Sequence, residues 1–346
     1  MNNVEHNGPS ENDLAWKAEN PKEDSGVLEY ETRAGDKVSL QWQESLPEKL
    51  KGSDSEAIIF LPGVALDGRS KPVVESAQKY ADVSGLNSFS ISTRLDNPDT
   101  ENSQAAQAEA IQQFISSKGL TEITVVGNSQ GANKSIDLFH ELKVQNPDIK
   151  IRALIVTGPG GIIDQDGDEL NKNFFKDALL NTTKQILKNK GTVKKIKKIG
   201  NSAALGVSVG FGIAKELVTA PAEFGRRAER ESKEAATPNI HTEDVDVPVI
   251  VVMSSEDMAF PSGEMIPTDN TGVLKINDAH GQGVVAQEMR EQAFKKVFPN
   301  SPVIRALEGR KDPHGMHYLH GKVPEASWHM LERIERQMKK TESIEE

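Results

Sequence analysis

The chain has 346 residues, 36% of them hydrophobic and 5% aromatic, with a formal net charge of −11 at pH 7. The absence of cysteine excludes disulfides, thiolate metal sites and a cysteine nucleophile, and the negative balance argues against nucleic acid as the main partner. The first 26 residues carry neither a basic segment followed by an apolar one nor, like the rest of the chain, an apolar run of about 18 residues. Neither a secretory signal nor a transmembrane helix is therefore expected, and the expected location is cytoplasmic.

Residues 1–26 are polar, acidic and rich in Asn, Gly and Pro, and read as a flexible acidic tail. Residues 27–32 and 38–42, separated by Ala34-Gly35-Asp36, read as a hairpin. The apolar run Ala57 to Leu61 has the character of a buried parallel strand. Residues 72–84 read as a helix with proline at its start, 87–93 as a strand, and 103–117 as an amphipathic helix that Ser103 can N-cap. Ile123, Val125 and Val126 then mark a strand, Ala132 to His140 a helix, and 149–157 a further strand. This alternation of β and α predicts a doubly wound, mostly parallel sheet. The pattern stops at Gly158-Pro159-Gly160-Gly161 and resumes with the apolar strand at 247–252. A last strand is expected at 302–306 and a closing amphipathic helix at 325–339.

Between the strand at 123–126 and the helix that follows stands Gly127-Asn128-Ser129-Gln130-Gly131. A bare G-x-S-x-G is a weak signal; strand, tight turn and helix around it give it meaning. The turn would hold Ser129 in a strained conformation at the positive end of the helix, its hydroxyl lifted clear of the sheet edge. Gly127 and Gly131 would leave out the Cβ atoms that clash where strand and helix meet. With these features the chain resembles the α/β-hydrolase superfamily over residues 27–160 and 247–346, with a helical cap inserted at 161–246 before the acid-bearing strand.

That resemblance implies a triad in the order Ser, acid, His. The segment after the strand at 247–252 reads Met253-Ser254-Ser255-Glu256-Asp257, with Pro261 four residues beyond Asp257. It resembles the segment that carries the family's acid, so Asp257 is the candidate, with Glu256 its nearest substitute and a solvated turn residue the plainer reading. For the base, His317-Tyr318-Leu319-His320 followed by Pro324-Glu325-Ala326 resembles the family's C-terminal segment, which selects His317. His314 and His280 stay open as alternatives. The oxyanion formed on acyl attack needs two N–H donors. By the same resemblance they are the backbones of Gln130 and of Val64, in a loop where Pro62-Gly63 keeps the family's glycine but not the preceding histidine.

No metal or cofactor is expected. Asp164 to Asp168 has alternating aspartates, but Phe175 stands where a calcium loop needs its last carboxylate. His314, His317 and His320 would share a face only on a helix, which Pro313, Gly315 and Gly321 oppose. The insertion holds nine lysines and one acid, Asp177, between residues 171 and 200, a local charge of +8. Its lysines either stand in water while an apolar face covers the core, or meet an anionic surface or a lipid-like acyl substrate. Residues 226–234 carry mixed charge and read as a solvated helix. The expected function is hydrolysis of a carboxylic ester or thioester, with acyl transfer by the same triad, or a non-catalytic binding or membrane-association module, as alternatives.

Overall fold

The computed structural model describes residues 25–49, 55–63, 67–97, 103–158, 162–164, 226, 229–230, 233–234, 236, 239–254, 265–267, 274–276, 287–309 and 322–345. Its strands are β1 (Ser25–Glu31), β2 (Lys37–Ser45), β3 (Glu56–Leu61), β4 (Asn87–Leu95), β5 (Glu122–Asn128), β6 (Lys150–Thr157), β7 (Ile163–Asp164), β8 (Val249–Ser254), β9 (Met265–Pro267), β10 (Leu274–Ile276) and β11 (Ile304–Gly309). The longer helices are α1 (Lys71–Ser84), α2 (Ser103–Ser117), α3 (Gln130–Gln145), α4 (Gln287–Val297) and α5 (Lys322–Glu345).

Eight strands form one sheet in the order β1-β2-β4-β3-β5-β6-β8-β11. The two pairs made by β2 are antiparallel, and all the others are parallel. From β3 the chain crosses one way to β4, then back past β3 to β5. A parallel crossover keeps one hand, so reversing direction puts successive helices on opposite faces. Accordingly α1 and α5 cover one face, where Val73, Ala77, Tyr80, Trp328, Leu331 and Ile334 bury against Ile58, Phe60, Val126, Ile155 and Ile250. Helices α2, α3 and α4 cover the other, where Ile111, Phe114, Ile136, Phe139 and Phe294 meet Ile59, Val125, Leu154, Val156 and Val251. Consecutive residues of one strand thus belong to different cores, which is why β3, β5 and β8 read as unbroken apolar runs.

The crossing back at β3 also creates a switch point. There the C-terminal ends of β3 and β5 stand side by side, with Leu61 opposite Gly127, and helices leave toward opposite faces. Ligand crevices form at such points in open α/β sheets.

Three expectations are corrected here. Helix α2 is not amphipathic in the simple sense, because eleven of its residues are buried, including Gln104, Gln107, Glu109 and Gln112. Its polar side meets the chain that returns from the insertion: the Ser103 hydroxyl and Gln104 Nε2 both donate to the Glu234 carboxylate. Ser103 is therefore itself helical and a tertiary anchor, not an N-cap. For the same reason the helical residues around 230 are not simply solvated, since Arg230 and Glu234 are half-buried and Ala236 is buried.

Glu234 and residues 239–246 lie along α3 as a strap held by polar contacts. Asn133 Nδ2 donates to the Glu234 carbonyl at 3.0 Å, and Asn239 Nδ2 donates to Asn133 Oδ1 at 2.6 Å and Asp137 Oδ1 at 2.9 Å. Two turns further on, Lys143 Nζ pairs with Asp246 at 2.8 Å. Under this strap the Asp137 carboxyl is pushed up to about 6, chiefly by burial and further by the charge of Glu234, against the opposing effects of Asn239 and His140. A carboxyl raised in the folded state binds its proton more tightly there than in the unfolded chain. Its contribution to stability is then fullest below pH 4 and is lost as pH rises through about 6. Asp137→Asn is expected to gain on the parent over that window, by on the order of 2 kcal/mol at pH 7. Urea midpoints for both proteins between pH 4 and 7 check this; parallel profiles would contradict it.

Candidate active site

Strand β5 ends at Asn128 and α3 begins at Gln130, so a single residue, Ser129, makes the whole turn. Its backbone sits at φ 54°, ψ −121°, and it is the one non-glycine residue with positive φ among the described residues. An L-residue pays roughly 1–3 kcal/mol to stand there, and the surroundings impose it. The Ser129 N–H donates to the Thr157 carbonyl at 2.8 Å, while its own carbonyl accepts from the Ala132 N–H at 2.9 Å, inside the first turn of α3. Beside it, Asn128 Nδ2 donates to Thr157 Oγ1 at 2.6 Å. The turn residue and the last residue of β5 are thus both tied to the end of β6.

The flanking glycines are required by space. A Cβ at Gly131 would stand 2.1 Å from the Leu61 carbonyl oxygen and 2.8 Å from that of Pro62. At Gly127 it would stand 2.4 Å from Ser135 Oγ and 2.5 Å from the Gly131 carbonyl oxygen. Gly63 belongs to the same arrangement, since a Cβ there would come within 2.9 Å of Ser129 Cβ. The Pro62-Gly63 backbone therefore leans directly on the serine. With this loop on one side and β6 on the other, Ser129 is only 5% exposed, more enclosed than the sequence implied.

Gln130, the first residue of α3, lies next to Ser129 with its amide nitrogen at the helix N-terminus, where N–H groups lack intrahelical acceptors. Its side chain is buried, and Nε2 finds no hydrogen-bond partner among the described residues. Sequence reading missed that feature, because it assigned Gln130 only a backbone role.

No protein-family model and no curated protein matches the chain. Solved structures do match. A bromoperoxidase from Bacillus anthracis is 13% identical, covering 90% of this chain and 100% of its own, with a TM-score of 0.52. An esterase from Exiguobacterium antarcticum is also 13% identical, covering 88% and 98%, with a TM-score of 0.51. A membrane phospholipase A is 10% identical, covering 90% and 87%, with a TM-score of 0.53. The chain has the α/β-hydrolase fold.

In this hydrolase fold the other expected site residues follow strands whose ends are described. β8 ends at Ser254, three residues before Asp257, and β11 ends beside it at Gly309, eight residues before His317. These strands lie two and three places from β5, roughly 10 and 14 Å across the sheet. β10 ends at Ile276, four residues before His280, and pairs with β7 and β9 in a separate three-stranded sheet. Asp257, Glu256, His317, His314, His280 and Val64 themselves lie outside the described residues, as does most of the insertion at 161–246. The residues brought together are Ser129, Gln130, Gly127, Gly131 and the Pro62-Gly63 backbone. Among the described residues no helix is long and apolar enough to cross a membrane.

Proposed function

We propose that this protein is a serine hydrolase that cleaves a carboxylic ester or thioester through an acyl-enzyme on Ser129. The observation that carries the reading is the Ser129 turn, a strained non-glycine residue between β5 and α3 at the switch point of the sheet. Backbone strain of this kind is kept where the surroundings over-determine it for a purpose, and a serine on such a turn presents its hydroxyl at the head of a helix.

In this reading His317 takes the Ser129 proton as Oγ attacks the acyl carbon, and Asp257 orients the imidazole and balances its charge. The oxyanion is met by the N–H groups of Gln130 and Val64 and by the positive end of α3. The proton on His317 then passes to the departing alcohol or thiol. A water molecule, deprotonated by the same histidine, releases the acid and restores the serine. The basic insertion, +8 over residues 171–200, fits an anionic or lipid-like acyl substrate, or contact with an anionic membrane surface.

A fluorophosphonate probe tests the nucleophile: a covalent adduct on Ser129, located by mass spectrometry, is expected. A folded protein left unlabelled would favour a non-catalytic binding module. For the base, His317→Ala is expected to lose activity by a factor similar to loss of the serine, and His280→Ala and His314→Ala by no more than about tenfold. If either of the latter proves inactive, the base is reassigned without touching Ser129. For the insertion, changing Lys194, Lys195, Lys197 and Lys198 to Gln should weaken binding to anionic vesicles while hydrolysis of a small soluble ester is unchanged. Equal binding of the parent to neutral and anionic vesicles would confine those lysines to the role of solvated surface.

A further inference from the structure

Away from the serine, about 16 Å along α3 from Ser129 by helix rise, three side chains converge. His140 Nδ1 lies 2.8 Å from Asp244 Oδ2, and His241 Nδ1 lies 3.4 Å from the same oxygen. The two imidazoles stack with centroids 3.8 Å apart and planes inclined by 19°, so both rings turn their Nδ1 edge toward one carboxylate. His140 comes from the last part of α3; His241 precedes, and Asp244 ends, the short 3₁₀ turn Thr242–Asp244 in the strap. All three are half-buried, with their donor atoms within 4.8 Å of one another.

We infer that His140, His241 and Asp244 form a binding site for a divalent transition metal of the zinc class, which clamps the strap to α3. This is independent of the reaction proposed for Ser129. Metal–nitrogen and metal–oxygen bonds of about 2.0–2.2 Å at tetrahedral angles put neighbouring donor atoms roughly 3.3 Å apart. The Nδ1–Oδ2 distances of 2.8 and 3.4 Å bracket that value. Two imidazoles and one carboxylate suit zinc, cobalt or nickel; magnesium and calcium want oxygen donors alone. Coordination requires each ring to carry its proton on Nε2 and to rotate about its own axis so that the Nδ1 lone pairs meet. The rings must part from their stack to do so, and their half-exposed positions leave the site open to water as a fourth ligand.

The clamp fits its place in the fold. The strap is otherwise held to α3 by amides and a lysine pair at Asn133, Asp137 and Lys143, and the metal would sit between the second and third of these contacts. Each of these contacts trades one hydrogen bond or ion pair for another made to water in the unfolded chain, whereas a three-ligand metal site binds only the assembled arrangement and stabilises it by mass action.

The test uses the full chain, stripped with a chelator, desalted, and titrated with Co²⁺ or Zn²⁺ alone. Uptake of one Co²⁺ per chain is expected, giving the visible bands of a nitrogen–oxygen site and displaced by Zn²⁺. The melting temperature should rise by about 4 °C at a hundredfold excess over Kd. His140→Gln and Asp244→Asn, each at a partly exposed position, should melt near the parent without metal, lose at least tenfold in affinity and keep fluorophosphonate labelling of Ser129. Absence of the bands in the parent overturns the proposal. So does uptake that persists undiminished in both variants, which would place the metal on other histidines of the chain.

Discussion

Replacing Ser129 by alanine is expected to lower kcat/KM for an activated ester by at least about 10⁴-fold while leaving the fold intact. The change removes one oxygen atom, keeps the Cβ that touches the Pro62-Gly63 loop, and leaves the backbone bonds to Thr157 and Ala132 in place. Alanine tolerates positive φ no better than serine, so the backbone cost cancels between parent and variant. Nucleophile, base and acid act as a unit, so adding Asp257→Asn to the alanine variant should lower the residual rate little further. Steady-state kinetics on both variants, with circular dichroism as a fold control, checks the prediction. A Ser129→Ala protein that kept most of its activity would remove the central assignment.

The second large effect is on the fold itself. Gly131→Ala is expected to destabilise the protein by more than about 3 kcal/mol, enough to leave much of it unfolded. Its new Cβ would meet the backbone carbonyls of Leu61 and Pro62, at 2.1 and 2.8 Å, and neither is the movable end of a side chain. Either α3 moves off β3 or the Pro62-Gly63 loop is pushed away from Ser129, so any fraction that folds should also label poorly with fluorophosphonate. Gly35 supplies the comparison. It stands at φ 86° with nothing within 4 Å of an added Cβ, so alanine there meets only the backbone penalty of roughly 1–2 kcal/mol. Thermal melts of the two variants separate steric from conformational cost. Equal losses would mean that the contact with Leu61 is relieved by a small shift.

Those two predictions rest on what was most legible in the sequence. The strands around Ser129 are continuous apolar runs, and the turn is a five-residue pattern, so both signals are local. Proline at the start of α1 and glycines around the turn carried conformational information without knowledge of neighbours. What could not be read depends on residues far apart. The polar residues on one side of α2 looked solvated because the strap that covers them arrives from position 234 and beyond. His140 and Asp244 are separated by 104 positions, and neither lies in a recognisable metal spacing. Strands β7 and β9 have two and three residues, too few to show a repeated alternation, whereas β10 falls within the apolar stretch 273–276 that reads as a short strand. Helix α4, where Ala293, Phe294 and Val297 are buried, is a short apolar stripe among charges and passed unnoticed. The triad members beyond Ser129 were assigned by likeness to a family segment, and their positions lie outside the described residues.

The division of each central strand between two cores carries a consequence for how the sequence can change length. In β5, Val125 belongs to the face of α2 and α3, and Val126 to the face of α1 and α5. Inserting or deleting one residue anywhere between Ile123 and Val126 would exchange those faces for every residue beyond it, and would bring Ser129 to the end of the strand rotated by half a turn. Point substitutions among Val, Ile and Leu leave that count untouched. The strand should therefore accept many changes of letter and almost none of length, and over generations the spacing of Ser129 from the start of β5 would be held more tightly than the identities of the residues between them.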